Sequence, residues 1–272
     1  MIVFPISKIN LGLRITAKRP DGYHNIETIF FPSGLHDALE FIVPEEDPGD
    51  DILVTSGIET GAPGTDNLVL KALALLRENH SIPHLRIHLH KAIPVGAGLG
   101  GGSSDAACFI KSVNRFFSFA ITDEELHSSA LKLGSDCPFF IDAKPAYATG
   151  RGEIMSPVKV GLEGYYMVLL NPGVKISTKE AYANCIPRIP EQSLPDIISR
   201  PVEEWKGAVV NDFEAYAVSR FPLIGELKSE LYRSGAVFSL MTGSGSSVFG
   251  FFRKKPELTG NLKKYLIYSG KI

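Results

Sequence analysis

A glycine-dense run between Pro94 and Ala107 constrains this chain more than any other segment. It reads Pro-Val-Gly-Ala-Gly-Leu-Gly-Gly-Gly-Ser-Ser-Asp-Ala-Ala, with five glycines among the seven residues 96–102. Glycine lets the chain turn through positive φ and removes the Cβ atoms that would keep an anion away from backbone N–H groups. We expect Ser103 or Ser104 to cap a helix from about Asp105 to Phe116, whose N-terminal N–H groups would face the loop. The run therefore predicts a phosphate-binding loop.

The loop differs from two common nucleotide-binding motifs. A P-loop requires a lysine directly after its last glycine, and no lysine lies between Lys91 and Lys111. Residues 96–101 fit the Gly-x-Gly-x-x-Gly fingerprint of dinucleotide-binding domains, but no strand ending in an acidic residue follows, since 117–121 is mostly apolar. A flexible linker is disfavoured, because linkers lack apolar residues such as Leu99.

The composition of the 272-residue chain argues against several classes of protein. The chain is 44% hydrophobic and 21% charged, as in ordinary globular domains, and its formal net charge of −2 gives no basic surface for nucleic acid. The longest apolar runs, such as 165–170, are far shorter than the roughly 20 residues that span a bilayer. The N-terminus lacks the basic and apolar regions of a signal peptide. We therefore expect a cytoplasmic protein without a nucleic-acid or membrane partner.

The spacing of cysteines and histidines gives no sign of a metal site or a disulfide framework. The cysteines are Cys108, Cys137 and Cys185. They form no Cys-x-x-Cys pair, so we expect reduced thiols. Cys137 lies in a segment considered below, but a lone cysteine is more often a small buried group than a nucleophile. Apolar and polar residues alternate over 84–90, which predicts a half-buried strand with Arg86, His88 and His90 on its solvated face.

Hydrophobic periodicity and turn residues predict an α+β chain. Strands are predicted at 8–15, 26–31, 39–43, 52–55, 84–90, 146–149, 155–160, 165–170, 237–241 and 248–252. Helices are predicted at 68–80, 105–116, 122–133, 178–185, 211–220 and 223–234, with a closing helix after Pro256. The proline-rich segment 187–201 is expected to be a surface excursion. Prolines and glycines around position 150 predict two domains, 1–150 and 151–272.

Five segments together carry a resemblance to a known family. They are Lys8–Leu13, Asp21–His24, the glycine loop, Asp136–Phe140 and Thr242–Ser247. In their order they resemble the GHMP kinases, whose three motifs match the first segment, the glycine loop and the last segment over nearly the whole chain. The resemblance implies a two-lobed fold with an N-terminal α+β lobe that binds ATP and a C-terminal ferredoxin-like lobe.

The same resemblance implies which residues bind the nucleotide. In the glycine loop they are Pro94, Val95, Gly96, Ala97, Gly98, Leu99, Gly100, Gly101, Gly102, Ser103 and Ser104. Asn67 is implied to lie near adenine, although an asparagine at the start of a helix is also a simple cap. Mg²⁺ is implied together with ATP. The sequence does not show which side chain binds it, and the resemblance implies a hydroxyl of Ser103 or Ser104, with phosphates and water as the other ligands.

Lys8 and Asp136 are the predicted catalytic residues. Transfer of a phosphoryl group to an alcohol needs an aligned hydroxyl, an acceptor for its proton and neutralisation of oxyanion charge. Lys8 matches the family's catalytic lysine and would hold the hydroxyl and keep Asp136 ionised, while Asp136 would accept the proton. Taken singly, Asp136 is a turn residue and Lys8 a surface residue of a strand. Their presence with the other motifs favours catalysis.

Tyr23, His24 and Tyr182 are predicted to recognise the acceptor. Tyr23 and His24 lie in a turn, where an aromatic ring can stack on a flat base and a ring nitrogen can read its edge. The resemblance implies a cytosine, within a cytidine diphosphate-linked methylerythritol of isoprenoid biosynthesis. It places Tyr182 on the other side of the base and Asn10 near the hydroxyl-bearing end. A tyrosine packed in the core is the alternative for Tyr182.

Two other functions stay open at this point. A kinase for another acceptor, such as homoserine or mevalonate, would keep the fold, but the segment Asp21–His24 argues against it. A nucleotide-binding protein without turnover would not need both Lys8 and Asp136. The oligomeric state is not indicated by the sequence.

Overall fold

The computed structural model describes residues 1–59 and 66–272. Its strands are β1 (Ile2–Val3), β2 (Ile6–Lys18), β3 (His24–His36), β4 (Ala38–Ile42), β5 (Ile52–Gly57), β6 (Arg86–Lys91), β7 (Ala146–Thr149), β8 (Ile154–Pro157), β9 (Tyr166–Leu170), β10 (Phe238–Met241), β11 (Val248–Phe252) and β12 (Leu266–Lys271). Its helices are α1 (Leu68–Arg77), α2 (Gly101–Phe117), α3 (Asp123–Leu133), α4 (Phe139–Asp142), α5 (Thr178–Ala183), α6 (Leu194–Ile198), α7 (Glu214–Arg220), α8 (Pro222–Arg233) and α9 (Gly260–Lys264). None of the helices in the described ranges has the length and apolar character of a membrane span.

The described residues form two compact units, and each is assembled from separate stretches of the chain. The first contains residues 1–7, 35–95 and 100–143, and the second contains 8–34, 96–99 and 144–272. Both units combine helices and sheet, which confirms the expected α+β class. The division of the chain at residue 150 stays a prediction.

The first unit is built on a four-stranded sheet in the order β1-β4-β6-β5. Strands β5 and β6 run parallel, and the other neighbours are antiparallel. Phe41 of β4 meets Phe109 of α2 edge to face, with ring centroids 5.4 Å apart, so α2 covers one face of this sheet. Arg86, His88 and His90 of β6 are exposed and alternate with the buried Ile87 and Leu89, which confirms the alternation predicted for 84–90.

Two helices begin where their capping residues predict. The Asn67 side chain accepts a hydrogen bond from the Val69 N–H at 2.9 Å and caps α1. Thr122 and Glu125 form a reciprocal capping box at the start of α3. In both cases a short polar side chain satisfies an N–H group that the first helical turn leaves without an acceptor.

The start of α2 differs from the prediction. The helix begins at Gly101, with Gly100 as its N-cap in the left-handed region (φ +70°) and no side-chain cap. The expected cap at Ser103 or Ser104 and the start at Asp105 are therefore wrong. A glycine that accepts positive φ lets the loop enter the helix earlier, and both serines fall inside the first turn.

The second unit contains two further sheets, in the orders β2-β3-β7-β8 and β10-β11-β9-β12. In the latter, every neighbouring pair is antiparallel. Helices follow β9 and β11, so the chain runs β-α-β-β-α-β with β9 and β11 in the middle of the sheet. This is the ferredoxin-like arrangement expected of the C-terminal lobe. The last strand, β12, was missed because only its first half is apolar and it is an edge strand.

The segment 187–201 is not a simple surface excursion. It contains α6, capped by Ser193, and the side chains of Leu194, Ile197 and Ile198 are buried. The Leu194 N–H also donates to the buried Glu27 carboxylate at 2.7 Å. Prolines around these residues hid a short helix, because one of them occupies its first turn, where a missing N–H is tolerated.

A pair of substitutions tests whether this segment belongs to the core. Leu194→Ala should lower the free energy of unfolding by about 2–4 kcal/mol, because it removes a fully buried side chain and leaves a cavity. Ile189→Ala is the control, since Ile189 is 89% exposed and should change stability by less than about 0.5 kcal/mol. Denaturant unfolding measures both. Equal effects would contradict the buried position of α6.

Candidate active site

The glycine loop touches the second glycine turn within the second unit. Gly98 and Gly243 both have positive φ, at +79° and +56°. A Cβ on Gly98 would lie 2.1 Å from the Thr242 carbonyl oxygen, and a Cβ on Gly243 would lie 2.9 Å from Gly98 Cα. No side chain fits at either position, because the two backbones are in contact. Two motifs that are distant in sequence therefore meet at these glycines.

Lys8 is joined to the same contact. Its backbone N–H donates to the Leu99 carbonyl at 3.0 Å. Its ammonium donates to Asn10 Oδ1 at 2.6 Å and to the Gly98 carbonyl at 3.2 Å, and it lies 5.1 Å from the centroid of the Phe30 ring. Lys8 is only 4% exposed, so it is not a surface residue of a strand. Burying an ammonium is costly unless it is hydrogen-bonded, and these contacts offset that cost.

Asn10 connects Lys8 to two threonines. The Asn10 amide donates to Thr28 Oγ1 at 2.9 Å, and the Asn10 backbone N–H donates to Thr242 Oγ1 at 2.9 Å. The Thr242 hydroxyl lies 3.2 Å from the Gly98 carbonyl, to which it can donate. The sequence analysis missed the role of Thr28, which stands beside Glu27 among the apolar residues of the predicted strand 26–31.

Tyr23 lies in a tight turn before β3. The Tyr23 carbonyl accepts the Arg19 backbone N–H at 2.8 Å, and Asp21 Oδ1 accepts the Tyr23 N–H at 3.1 Å. The guanidinium of Arg19 binds the Asp21 carboxylate at 2.8 Å. These bonds fix the backbone of the turn, while the Tyr23 side chain is 56% exposed. An exposed aromatic ring on a fixed turn is available to a flat ligand.

His24 and Tyr182 stack on each other, with ring centroids 4.8 Å apart and an angle of 17° between the rings. Tyr182 also packs against the hydrophobic core of the second unit and meets Phe213 edge to face at 4.9 Å. The structure thus brings two of the three predicted base-recognising side chains together. The packing of Tyr182 against the core fits the alternative considered for that residue. The contact of Tyr182 with a base stays a prediction.

In the first unit, the turn that carries Asp136 lies beside the start of α2. Asp136 follows Gly134, the C-cap of α3, and is half-buried. The next residue, Cys137, lies near enough to Ser103, in the first turn of α2, for Ser103 to lower the pKa of its thiol slightly. Burial raises the pKa of the Cys137 thiol to about 11, so the thiol stays protonated at neutral pH. This agrees with the expectation that Cys137 is not a nucleophile.

The predicted nucleotide residues differ in exposure. Val95, Gly96 and Gly102 are exposed, whereas Ala97, Leu99 and Ser104 are buried. The remaining loop residues, Pro94, Gly98, Gly100, Gly101 and Ser103, are half-buried. The contact of these residues and of Asn67 with ATP stays a prediction.

A buried ionic cluster of Asp37, Lys91 and Asp105 lies in the first unit and was not expected from the sequence. The Lys91 ammonium binds both Asp37 and Asp105, the latter at 2.6 Å. The second oxygen of Asp37 accepts the N–H groups of Ala92 and Ile93 at 2.6 and 2.8 Å. The cluster therefore joins the strand that leads into the glycine loop to the helix that leaves it. Its members are too distant in sequence for any spacing to reveal them.

Asp105 shares the single ammonium of this cluster with Asp37. Burial raises the pKa of the Asp105 carboxyl to about 7, although the charge of Lys91 opposes the rise. Asp105 Oδ1 is buried and has no hydrogen-bond partner among the described residues. The folded state therefore favours the protonated carboxyl up to about neutral pH.

Comparison with known proteins shows relatives that match more than nine tenths of the chain. The chain matches the model of the GHMP kinases N terminal domain over residues 67–144 and that of the GHMP kinases C terminal over 194–262. It is 51% identical over 254 residues to the 4-diphosphocytidyl-2-C-methyl-D-erythritol kinase of Parabacteroides distasonis, covering 93% of this chain and 92% of the relative. The enzyme of the same name from Bacteroides fragilis is 49% identical over 259 residues, with 95% and 94% covered.

A solved structure agrees with these relatives. A crystal structure of 4-(cytidine 5'-diphospho)-2C-methyl-D-erythritol kinase is similar to this fold, with a TM-score of 0.74 and 31% identity. The match covers 92% of this chain and 89% of that chain.

Asp105→Asn tests the protonation of the buried cluster. The folded pKa lies above the usual value of 3.8, so the folded state binds more protons than the unfolded state between about pH 4 and pH 7. The Asp105 carboxyl therefore makes the free energy of unfolding fall as pH rises through that window, by up to about 1.4 kcal/mol per pH unit. In the Asp105→Asn variant, the free energy of unfolding should not show this fall with pH. Unfolding of the variant and of the wild type, measured at each pH, gives the comparison. Asp50→Asn, an exposed substitution in the same unit, should leave the slope unchanged. Parallel profiles for wild type and Asp105→Asn would contradict the raised pKa.

Proposed function

The chain belongs to the GHMP kinase family, and we propose that it acts there as a 4-diphosphocytidyl-2-C-methyl-D-erythritol kinase. It transfers the γ-phosphoryl group of ATP to the 2-hydroxyl of that acceptor, in the biosynthesis of isoprenoid precursors. The observation that carries the chemistry is the buried Lys8 ammonium, held 3.2 Å from the Gly98 carbonyl of the glycine loop. A cation kept at such a loop is suited to neutralising phosphoryl charge.

The reaction exchanges one phosphorus–oxygen bond for another and transfers one proton. The acceptor oxygen bonds to the γ-phosphorus, the bond from that phosphorus to the β-phosphate oxygen breaks, and ADP leaves. Asp136 takes the proton of the attacking hydroxyl. Lys8 stabilises the negative charge on the transferring group, and Asn10, which holds the Lys8 ammonium at 2.6 Å, orients it.

The helix start at Gly101 supports the nucleotide role of the glycine loop. The first N–H groups of a 17-residue helix have no acceptors within the helix, and its positive dipole end favours an anion. These groups bind ATP phosphates. The nucleotide would enter with Mg²⁺, which would lower the phosphate charge, and a hydroxyl of Ser103 or Ser104 would hold the metal together with phosphates and water.

The acceptor base is recognised by Tyr23 and His24. Tyr23 is exposed on a rigid turn, and the adjacent His24 is held by its stack on Tyr182. Stacking on Tyr23 and reading of the base edge by His24 would select a cytidine compound. The relatives carry the name of this kinase rather than of a homoserine or mevalonate kinase, which disfavours those acceptors. A cytoplasmic location stays a prediction.

Substitutions at Asp136 and Lys8 test the catalytic roles. Asp136→Asn and Lys8→Met should each lower kcat by about two orders of magnitude or more, because they remove the proton acceptor and the charge-stabilising group. ATP affinity, measured by calorimetry, should change little. Asp142→Asn is the matched control, since that side chain is 52% exposed and lies in the same unit as Asp136. Nearly full turnover by Asp136→Asn would show that another group takes the proton.

A panel of acceptors tests the substrate. In a coupled ADP-release assay, free methylerythritol and its monophosphate should be very poor acceptors, because they lack the binding energy of the cytidine moiety. Homoserine and mevalonate should give no turnover. Tyr23→Leu should cost about 1–3 kcal/mol in acceptor kcat/KM, the scale of base stacking on an aromatic side chain, with the KM for ATP unchanged.

Tyr165→Leu is the control for this substitution, because Tyr165 is a half-buried tyrosine elsewhere in the second unit. Efficient phosphorylation of homoserine or mevalonate, or indifference to the cytidine moiety, would overturn the assigned acceptor and leave the kinase fold untouched.

A further inference from the structure

The ring of Tyr23 has an arginine on one of its faces. The guanidinium carbon of Arg151 lies 5.0 Å from the centroid of this ring. The electron-rich face of a tyrosine attracts a cation at this distance. Tyr23 is 56% exposed, and the contact with Arg151 limits the torsions of this exposed side chain.

Arg151 is itself held in place by the turn between β7 and β8. Its backbone N–H donates to Glu153 Oε2 at 2.5 Å, and its Nε donates to Glu153 Oε1 at 3.3 Å. The preceding residue, Gly150, accepts the Ile26 N–H at 2.7 Å. The turn that carries Arg151 is thereby bonded to the strand that begins directly after Tyr23. The backbones on both sides of the arginine–tyrosine contact are therefore fixed.

The two arginines beside Tyr23 are each paired with a carboxylate. Arg19 pairs with Asp21, and Arg151 pairs with Glu153. A cation paired with a carboxylate attracts an anionic substrate only weakly. The arginine–tyrosine contact is therefore suited to orienting the ring rather than to drawing in a diphosphate.

We propose that Arg151 is a positioning residue for the acceptor base. It covers one face of the Tyr23 ring, restrains the ring and leaves the opposite face for a pyrimidine to stack on. This inference rests on the proposed function, because it assumes that Tyr23 stacks on the base. The proposal adds Arg151, which was not among the predicted site residues, to the residues that act on the acceptor. It also limits the base to one face of the Tyr23 ring.

A double-mutant cycle tests the proposal with the full-length enzyme, ATP and the cytidine diphosphate-linked acceptor. Arg151→Met should raise the KM for the acceptor about two- to five-fold, the effect expected of an exposed cation–ring contact, with kcat and the KM for ATP unchanged. In a Tyr23→Leu background, Arg151→Met should cause no further change, because the ring through which it acts is absent.

The matched control is Arg253→Met. Arg253 also lies over a tyrosine, 5.5 Å from the centroid of Tyr165, and pairs with Glu203. Its removal deletes the same kinds of contact away from the predicted site and should leave the KM for the acceptor unchanged. Thermal unfolding of every variant checks that the fold is intact.

Three results would overturn the inference, and they differ in whether base recognition by Tyr23 fails as well. If Tyr23→Leu leaves the KM for the acceptor unchanged, base recognition by Tyr23 fails as well. If Tyr23→Leu raises it and Arg151→Met does not, only the role of Arg151 fails. If Arg151→Met raises it equally in both backgrounds, the arginine acts on the acceptor directly and not through the ring.

Discussion

The contact between the backbones of Gly98 and of the turn at Thr242 and Gly243 is the constraint on which the predicted catalytic side of the second unit depends. It explains why side chains are excluded at both glycines, since each would enter the space of the other backbone. It also creates a place for Lys8, because the Gly98 carbonyl that faces the turn accepts the lysine ammonium as well. Asn10 then has to bond both to the lysine and to Thr242. The sequence analysis explained the glycine-rich loop by ligand binding alone, but Gly98 is also required for the packing of two backbone segments.

Much of the fold could be predicted because its local signals are strong. Strand β7 was predicted with its observed bounds, and β11 likewise, since each is a short β-rich run between turn residues. The caps of α1 and α3 are read from single side chains. The errors arise where tertiary contacts decide. Strand β12 has a weak pattern and is fixed by pairing with β9, and α6 is formed by burial of Leu194 in a segment whose prolines indicate a loop.

In the candidate active site, too, local sequence signals predicted some features and tertiary contacts decided the others. The resemblance singled out Lys8, Asn10, Tyr23 and His24 as candidates, but the sequence could not show that Lys8 is buried, because strand alternation alone does not tell which face is covered. The stack of His24 on Tyr182 and the cluster of Asp37, Lys91 and Asp105 join residues from distant parts of the chain. No spacing encodes such contacts. The left-handed Gly100 is an intermediate case, since a glycine at that position was visible while its role as the cap of α2 was not.

The two buried lysines have a consequence for chemical labelling. Each compact unit hides one of them: Lys91 is 2% exposed in the first unit, and Lys8 is 4% exposed in the second. Acylating reagents attack the neutral amine of an accessible lysine, so the Lys91 side chain is shielded while the first unit is folded. Modification of Lys91 then reports the opening of that unit, readable by mass spectrometry without an engineered tag. Lys8 does not serve in the same way, because the proposed reaction requires small molecules to reach its ammonium.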